Sequence, residues 1–373
     1  MKRKILFLMA ALLAACTQLM GATTVKVGVL LPLKDTAGRG TVMVEFYRGV
    51  LMAIDAARNE GINVDCYAAD CGNTAEQMEA LLKEPEWAKL NVIFGPLEGR
   101  QVPPLSEFCR QHSIRMVVPF NTPCPQVYSN PWIFQVGVSQ ELLFPNITNL
   151  VAEHLGRRNF VFCQTGDTDE RGQSFTNHLD QVLRLRDMQT TQLALTADEF
   201  AYDRALNQFL ENVIVPDSRS QESLTRLLTS LKAYLATRPQ YRISLLGYPE
   251  WLTYTSTLLH DYYKFDTYVF SSYYRNPLSG RTAKFEQQYL QNFSQPSRNQ
   301  YPRAELLGYD LGQYFILGLA TFGSDFNERQ GTLSLQPVQH GFNFQRASQQ
   351  GGYINTFVQL VHYSTNNTIQ TLK

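Results

Sequence analysis

The chain has 373 residues, long enough for two α/β lobes rather than one ordinary core, and hydrophobic residues make up 44% of it, sufficient to fill both. Its 33 basic residues balance 33 acidic ones. That balance argues against a nucleic-acid partner, because neutralising phosphates needs a clustered basic surface. The 19 Tyr and 22 Phe supply core volume and, for some of the Tyr, groove area carrying a hydroxyl.

Met1-Lys2-Arg3-Lys4 is a basic start, followed by an apolar stretch, residues 5–15, too short to span a bilayer comfortably. Together they read as a secretory signal. The stretch ends in Leu13-Ala14-Ala15-Cys16, which resembles a bacterial lipobox. That resemblance implies cleavage before Cys16, diacylglycerol on its sulfur and a lipid anchor in the periplasm or outer cell envelope, since several acyl chains hold stably where one does not. The alternative is an incidental Cys16 with cleavage near Ala22. Cys66, Cys71, Cys109, Cys124 and Cys163 remain. An odd number is a poor disulfide framework, so these are expected as buried thiols, with a local Cys66–Cys71 pair left open. No Cys/His group has zinc spacing, and no metal or cofactor is expected.

Residues 25–31, Val-Lys-Val-Gly-Val-Leu-Leu, form an apolar β-branched run that reads as a strand buried on both faces. A polar loop over 34–40 follows, then a helix capped by Thr41, with Met43, Phe46, Tyr47, Val50, Leu51, Ile54 and Ala57 in one apolar stripe. Strands at 62–69, 91–94 and 114–119 alternate with helices at 74–83 and 101–112, which completes one doubly wound lobe. The run 132–137 leads into a helix at 139–155 and a first crossing between lobes. A second series follows: strands 159–163, 189–195, 213–215 and 242–246, helices 172–185, 201–210 and 220–237, and a further helix through 262. The aromatic strand 266–272 reads as a second crossing. Helices are expected at 284–293 and 304–322. The latter is apolar nearly all round, and Asp310 and Gln313 weigh against a membrane span. Strand-like runs at 341–346 and 353–363 close the chain. The expected division is a leader and tether over 1–24, a first lobe of 25–135 with about 273–335, and a second of 136–272 with about 336–373.

In open α/β sheets the loops at the strands' carboxyl ends line the ligand crevice, so the loop over 34–40 is the first candidate surface. Gly38-Arg39-Gly40 before a helix has the makings of an anion cradle or of an ordinary turn. The sequence has no GxGxxG, no GxSxG, no HExxH and no phosphate loop of the GxxxxGK type. A non-catalytic role is therefore expected.

Several motifs fall in a characteristic order: Val27-Gly28-Val29-Leu30-Leu31-Pro32-Leu33 and Phe46-Tyr47-Arg48-Gly49; Gly95-Pro96-Leu97; Val118-Pro119-Phe120-Asn121; Asn130-Pro131-Trp132-Ile133-Phe134-Gln135-Val136; Ser244 through Trp251; and Leu307-Gly308-Tyr309-Asp310. This set resembles the type I periplasmic-binding-protein family, in its leucine/isoleucine/valine-binding group, and most of all the Bacteroidetes branch often associated with LysM peptidoglycan-binding domains. The resemblance runs over nearly all of residues 25–373, and no LysM repeat is found. It implies two doubly wound parallel-sheet lobes joined by three hinge crossings. A small amino-acid-like or amide-like ligand would be held between the lobes by hinge closure, for an ABC importer or as a sensor. Carried over by motif, ligand contacts fall on the loop after Leu31 with Asp35 and Arg39, on Leu97 and Glu98, on Asn121 and Thr122, on Asp167 and Arg171, and on Tyr248. Two departures stand out. Leu97-Glu98 replaces the small hydroxyl residue that holds a ligand carboxylate, and Arg171 replaces an aromatic before Gly172. A second function class, an envelope or peptidoglycan-associated interaction protein without a transported solute, follows from those departures and from Tyr248, Trp251, Tyr254, Tyr273 and Tyr274 as candidate surface aromatics.

Overall fold

The computed structural model describes residues 24–35, 39–167, 169–195, 199–297 and 301–373; Cys16 and the leader lie outside them. In chain order the elements are β1 (Val25–Leu31), α1 (Arg39–Asn59), β2 (Val64–Asp70), α2 (Ala75–Leu81), β3 (Val92–Phe94), α3 (Val102–His112), β4 (Arg115–Val118) and β5 (Ile133–Gln135). Next come α4 (Gln140–Leu155), β6 (Asn159–Gln164), α5 (Glu170–Leu185), β7 (Thr190–Ala194), α6 (Glu199–Ala205), β8 (Glu211–Pro216), α7 (Gln221–Thr237), β9 (Arg242–Gly247), α8 (Thr255–Lys264) and β10 (Thr267–Ser271). The chain ends with α9 (Gly280–Phe293), α10 (Ala304–Phe322), β11 (Phe344–Arg346), β12 (Tyr353–Asn355), β13 (Gln359–Tyr363) and β14 (Ile369–Leu372).

These elements divide into two units, and the chain passes between them at 138–139, 275–276 and 355–356. The first holds a seven-stranded sheet in the order β11-β12-β5-β4-β3-β1-β2, the second one in the order β14-β13-β10-β9-β8-β6-β7. In the first, β12 runs parallel to β5 and only β11 is antiparallel to its neighbour. In the second, β13 and β14 are the antiparallel pair at one edge. The β-branched run of β1 is buried on both faces, between a core with Phe46, Val50 and Phe315 and a second core with Leu105, Cys109 and Met116.

α10 is buried against α1, not lipid. Among the described residues no helix is long and apolar enough to cross a membrane. The two helices approach so closely that a Cβ on Gly49 would lie 1.9 Å from the Glu305 carbonyl oxygen, and one on Gly308 2.0 Å from that of Phe46. Asp310, buried on α10, accepts the backbone N–H groups of Val338, Gln339 and His340 at 2.7, 2.8 and 2.8 Å, tying the segment before β11 to the helix.

Several boundaries differ from the sequence reading. α1 starts at Arg39, so Thr41 lies inside its first turn instead of capping it; the ion pair of Arg39 with Asp35 at 3.1 Å already joins the first helical residue to the loop. The helix expected over 201–210 stops at Ala205. There Asn207 accepts the N–H groups of Phe209 and Leu210 at 2.8 and 3.1 Å, a local turn that competes with further helix. The run 353–363 is two strands in two different sheets, so the third crossing falls after Asn355 instead of near 335. Packing decides it: Tyr353 stacks on Phe134 at 4.7 Å and Phe344 meets the same ring edge-on at 5.3 Å, which commits β11 and β12 to the first core. All five described cysteines are free thiols, and four of them are buried.

Candidate functional site: the strand-end loops

In the first unit the loops after β1, β3 and β4 are fastened to one another. Gly95, at φ +136°, lies where a Cβ would come within 2.1 Å of the Leu30 carbonyl oxygen, so the chain leaving β3 presses directly on β1. Arg39 reaches across this edge. One guanidinium nitrogen is 3.1 Å from Asp35 Oδ2 and another 2.6 Å from Glu98 Oε1, with the arginine side chain about half exposed. Beneath them Thr122 is buried and its hydroxyl donates to the Leu97 carbonyl at 2.7 Å. The expected residues Asp35, Arg39 and Glu98 thus form one ionic cluster. Leu97 and Thr122 form a bolt between two loops. Asn121 is exposed beside them. Arg39 faces two carboxylates of its own chain, so the anion-cradle reading of this loop has its cation already engaged.

In the second unit the loops after β6, β8 and β9 converge. Asp217, just beyond β8, takes the Thr165 N–H and hydroxyl on one oxygen at 2.9 and 2.6 Å. Asp167 accepts the hydroxyls of Ser223, Ser218 and Ser220 at 2.7, 2.8 and 2.9 Å, all on Oδ2, and these donors, Ser223 foremost, hold its carboxyl below the usual range. Asp169 caps α5 by accepting the Gly172 N–H at 3.2 Å. It also takes a forked pair from Arg219, with Nε 2.9 Å from Oδ2 and Nη2 3.0 Å from Oδ1. Burial alone would raise the Asp169 carboxyl, but the Arg219 side chain and the N–H groups of Arg219 and Gly172 more than offset it and leave the group low. Arg219 Nη1 continues to Glu250 Oε1 at 2.7 Å.

One expected residue has other work here. Tyr248 is wholly buried, and its hydroxyl donates to the Pro216 carbonyl at 2.6 Å and the Gly172 carbonyl at 3.3 Å, so it presents no surface to a solute. Gly172 lies where a Cβ would be 2.2 Å from the Asp217 carbonyl oxygen; the helix start needs glycine for contact with the β8 loop. Arg171 is exposed, without a polar partner among the described residues. Beside these loops lies a concavity of about 430 Å³, lined by Gln164, Asp167, Gln173, Asn177, Asp180 and Asp217 among others, with no cationic side chain in its wall among the described residues. Asp217, Ser218, Arg219 and Ser223 were not singled out from sequence. Their signal was available as a polar run directly after an apolar strand.

No protein-family model matches the chain, and no curated protein matches it. Solved structures do. A putative branched-chain amino acid ABC transporter protein from Rhodospirillum rubrum matches with a TM-score of 0.61 at 11% identity, over 94% of this chain and 100% of that one. The chain has the type I periplasmic-binding-protein fold. An ABC-type branched-chain amino acid transporter protein from Rhodopseudomonas palustris gives a TM-score of 0.55 at 12% identity, and an ABC transporter substrate-binding protein from Sphaerobacter thermophilus 0.53 at 14%, each over 94% of this chain and 96% of the other. Within this periplasmic-binding-protein fold the two loop sets just described stand at the carboxyl ends of parallel strands, where open α/β sheets hold ligands.

Proposed function

We propose that the chain is an extracytoplasmic solute-binding protein that captures a small polar ligand, amino-acid-like or amide-like, on its strand-end loops, for an ABC importer or as a sensor, without catalysis. The observation that carries the reading is the binding-protein fold, matched over 94% of the chain, together with polar strand-end loops ordered by their own hydrogen bonds. The leader belongs to the same proposal: a lipid on Cys16 would hold the protein at the periplasmic or outer envelope face of a membrane. So does the kinship with the Bacteroidetes branch. A ligand present at one hundred times its dissociation constant adds about 2.7 kcal/mol to stability. A thermal-shift screen over amino acids, amides and small peptides is therefore expected to return at least one saturable rise, and a flat response across the library overturns the proposal.

One observation favours a second reading. Arg39 and Arg219 are already engaged with the chain's own carboxylates, which leaves the strand ends poorly prepared for a free amino acid and suits an envelope protein that binds peptidoglycan instead. Sedimentation with purified peptidoglycan separates the two, since binding there with a flat solute screen selects this alternative.

A further inference from the structure

We propose that the amino-terminal edge of the second sheet carries a phosphate-type oxyanion site, distinct from the strand-end loops at the other pole of that sheet. A concavity of about 530 Å³ opens there, lined by His154, Arg157, Arg158, Glu211 and Arg242 among others. Three guanidinium groups line it from two places in the chain: Arg157 and Arg158 in the turn between α4 and β6, and Arg242 at the first residue of β9. The carboxylates near them are already committed: Asp266, whose charge acts on Arg158, accepts the Tyr268 hydroxyl at 3.1 Å and lies 2.8 Å from His362 Nε2. Glu211 Oε2 pairs with Arg158 Nε at 3.1 Å, and Oε1 accepts the Ser244 hydroxyl at 2.8 Å. Glu153, also in the wall, is exposed.

The donors, in contrast, are in surplus. Arg158 lies over the Tyr268 ring at 5.3 Å and donates from Nη2 to the Tyr268 hydroxyl at 3.4 Å, while its Nη1 is buried with no hydrogen-bond partner among the described residues. His154 Nε2 is also buried without a hydrogen-bond partner among the described residues, and it donates only in the tautomer that carries its proton there. Arg242 uses Nη2 on the Phe209 carbonyl at 3.2 Å, and Arg157 is exposed with no polar partner among the described residues. A buried charged donor without an acceptor is costly, and the planar guanidinium fork matches the oxygens of phosphate. Cations at the carboxyl end of α4 would be expected from the helix dipole alone. The dipole accounts for Arg157 and Arg158. It does not account for Arg242, which comes from a strand, or for a buried Nη1 left without an acceptor. Phe209 is 79% exposed beside Arg242 and offers an apolar surface to a group attached to the phosphate. The shared chemistry is a phosphate, free or at the head of a lipid.

The test uses the full chain at constant ionic strength, titrated with inorganic phosphate against chloride, and with a short-chain phosphatidic acid below its micelle concentration. A saturable rise in thermal stability is expected, weakened about tenfold in affinity by Arg157→Gln and by Arg242→Gln. Neither residue belongs to the proposed solute loops, so the response to any solute found by screening is expected to persist in both variants. Much tighter binding of the phosphatidic acid supports the site with a lipid as its source, and equal binding supports it with free phosphate. No rise beyond that of chloride, or a rise unchanged in both variants, overturns the proposal.

Discussion

Arg219→Met tests whether the second unit's strand-end loops are held by ionic pairing. Methionine keeps the length of the stem and removes the fork that joins Asp169 to Glu250. The side chains of Arg219 and Asp169 are 22% and 13% exposed, which places the pair between a surface pair worth about 0–1 kcal/mol and a fully buried one whose breakage costs roughly 3–5 kcal/mol. A loss of about 2–3 kcal/mol is expected. For a unit of this size, residues 139–275 with 356–373, that corresponds to a fall in its melting temperature of roughly 4–12 °C. The effect also has a pH signature. The Asp169 carboxyl is held below its ordinary 3.8 in the folded protein, so the stability it contributes is present above that value and is lost as pH falls through the folded pKa. The deficit of the variant is then full at pH 7 and shrinks at pH values below about 4. Urea unfolding of both proteins at several pH values, with Asp169→Asn alone and in combination, isolates the coupling. A deficit at pH 7 below about 0.5 kcal/mol, or one that does not shrink in acid, refutes the reasoning.

Tyr248→Phe removes a buried hydroxyl that donates to two carbonyls. It should cost about 1–2 kcal/mol in urea unfolding and leave the affinity for any solute unchanged; weakened affinity at unchanged stability would return Tyr248 to the ligand surface. For Asp310, burial pushes the carboxyl up to about 7 against the three N–H groups it accepts. Its folded value lies above its unfolded one, so its favourable contribution is greatest below about pH 4 and is lost as pH rises through about 7. Asp310→Asn is therefore expected to flatten the fall in stability between pH 5 and 8, by at most roughly 3 kcal/mol. Comparing slopes avoids the separate cost of leaving an N–H group unpaired, and equal slopes in the two proteins would show that Asp310 does not titrate there.

The strands were legible because burial on both faces demands continuous apolar, β-branched runs, and Val25–Leu31 and Glu211–Pro216 both contain one. The switch of sheets inside 353–363 left no such mark. Tyr353 and Tyr363 carry the same kind of side chain, and only contact with Phe134 in one core and with Tyr262 in the other tells them apart. The candidate site divides along the same line. Strand-end position pointed to the loop with Asp35 and Arg39, and the family resemblance carried the same rule to Glu98 and Asp167, since position is a local property. Apart from the Asp35–Arg39 pair, their partners are not local: Glu98 lies 59 residues from Arg39, and the serines on Asp167 lie 51, 53 and 56 residues away. A polar residue that will be spent on its own chain has the same letter as one left for a ligand, which is why Tyr248 read as a contact and proved to be a brace.

That distinction bears on what the loops can hold. A ligand ammonium approaching Asp169, Glu250 or Glu98 competes with a guanidinium already in place, and the forked Arg219–Asp169 pair is the harder to displace because two hydrogen bonds must break together. Ligand amides and hydroxyls face no such competitor at Asp167 and Asp217. Each carboxylate there has concentrated its hydrogen bonds on one oxygen, and the other has no hydrogen-bond partner among the described residues. The concavity beside them is walled by carboxylates and side-chain amides. Any donor, an amide, a hydroxyl or an ammonium, can therefore add hydrogen bonds there without breaking an ion pair, but the carboxylate of a zwitterionic amino acid meets a wall of like charge with no cationic side chain among the described residues. Within the proposed solute-binding role, amide-like ligands should outrank free amino acids in affinity.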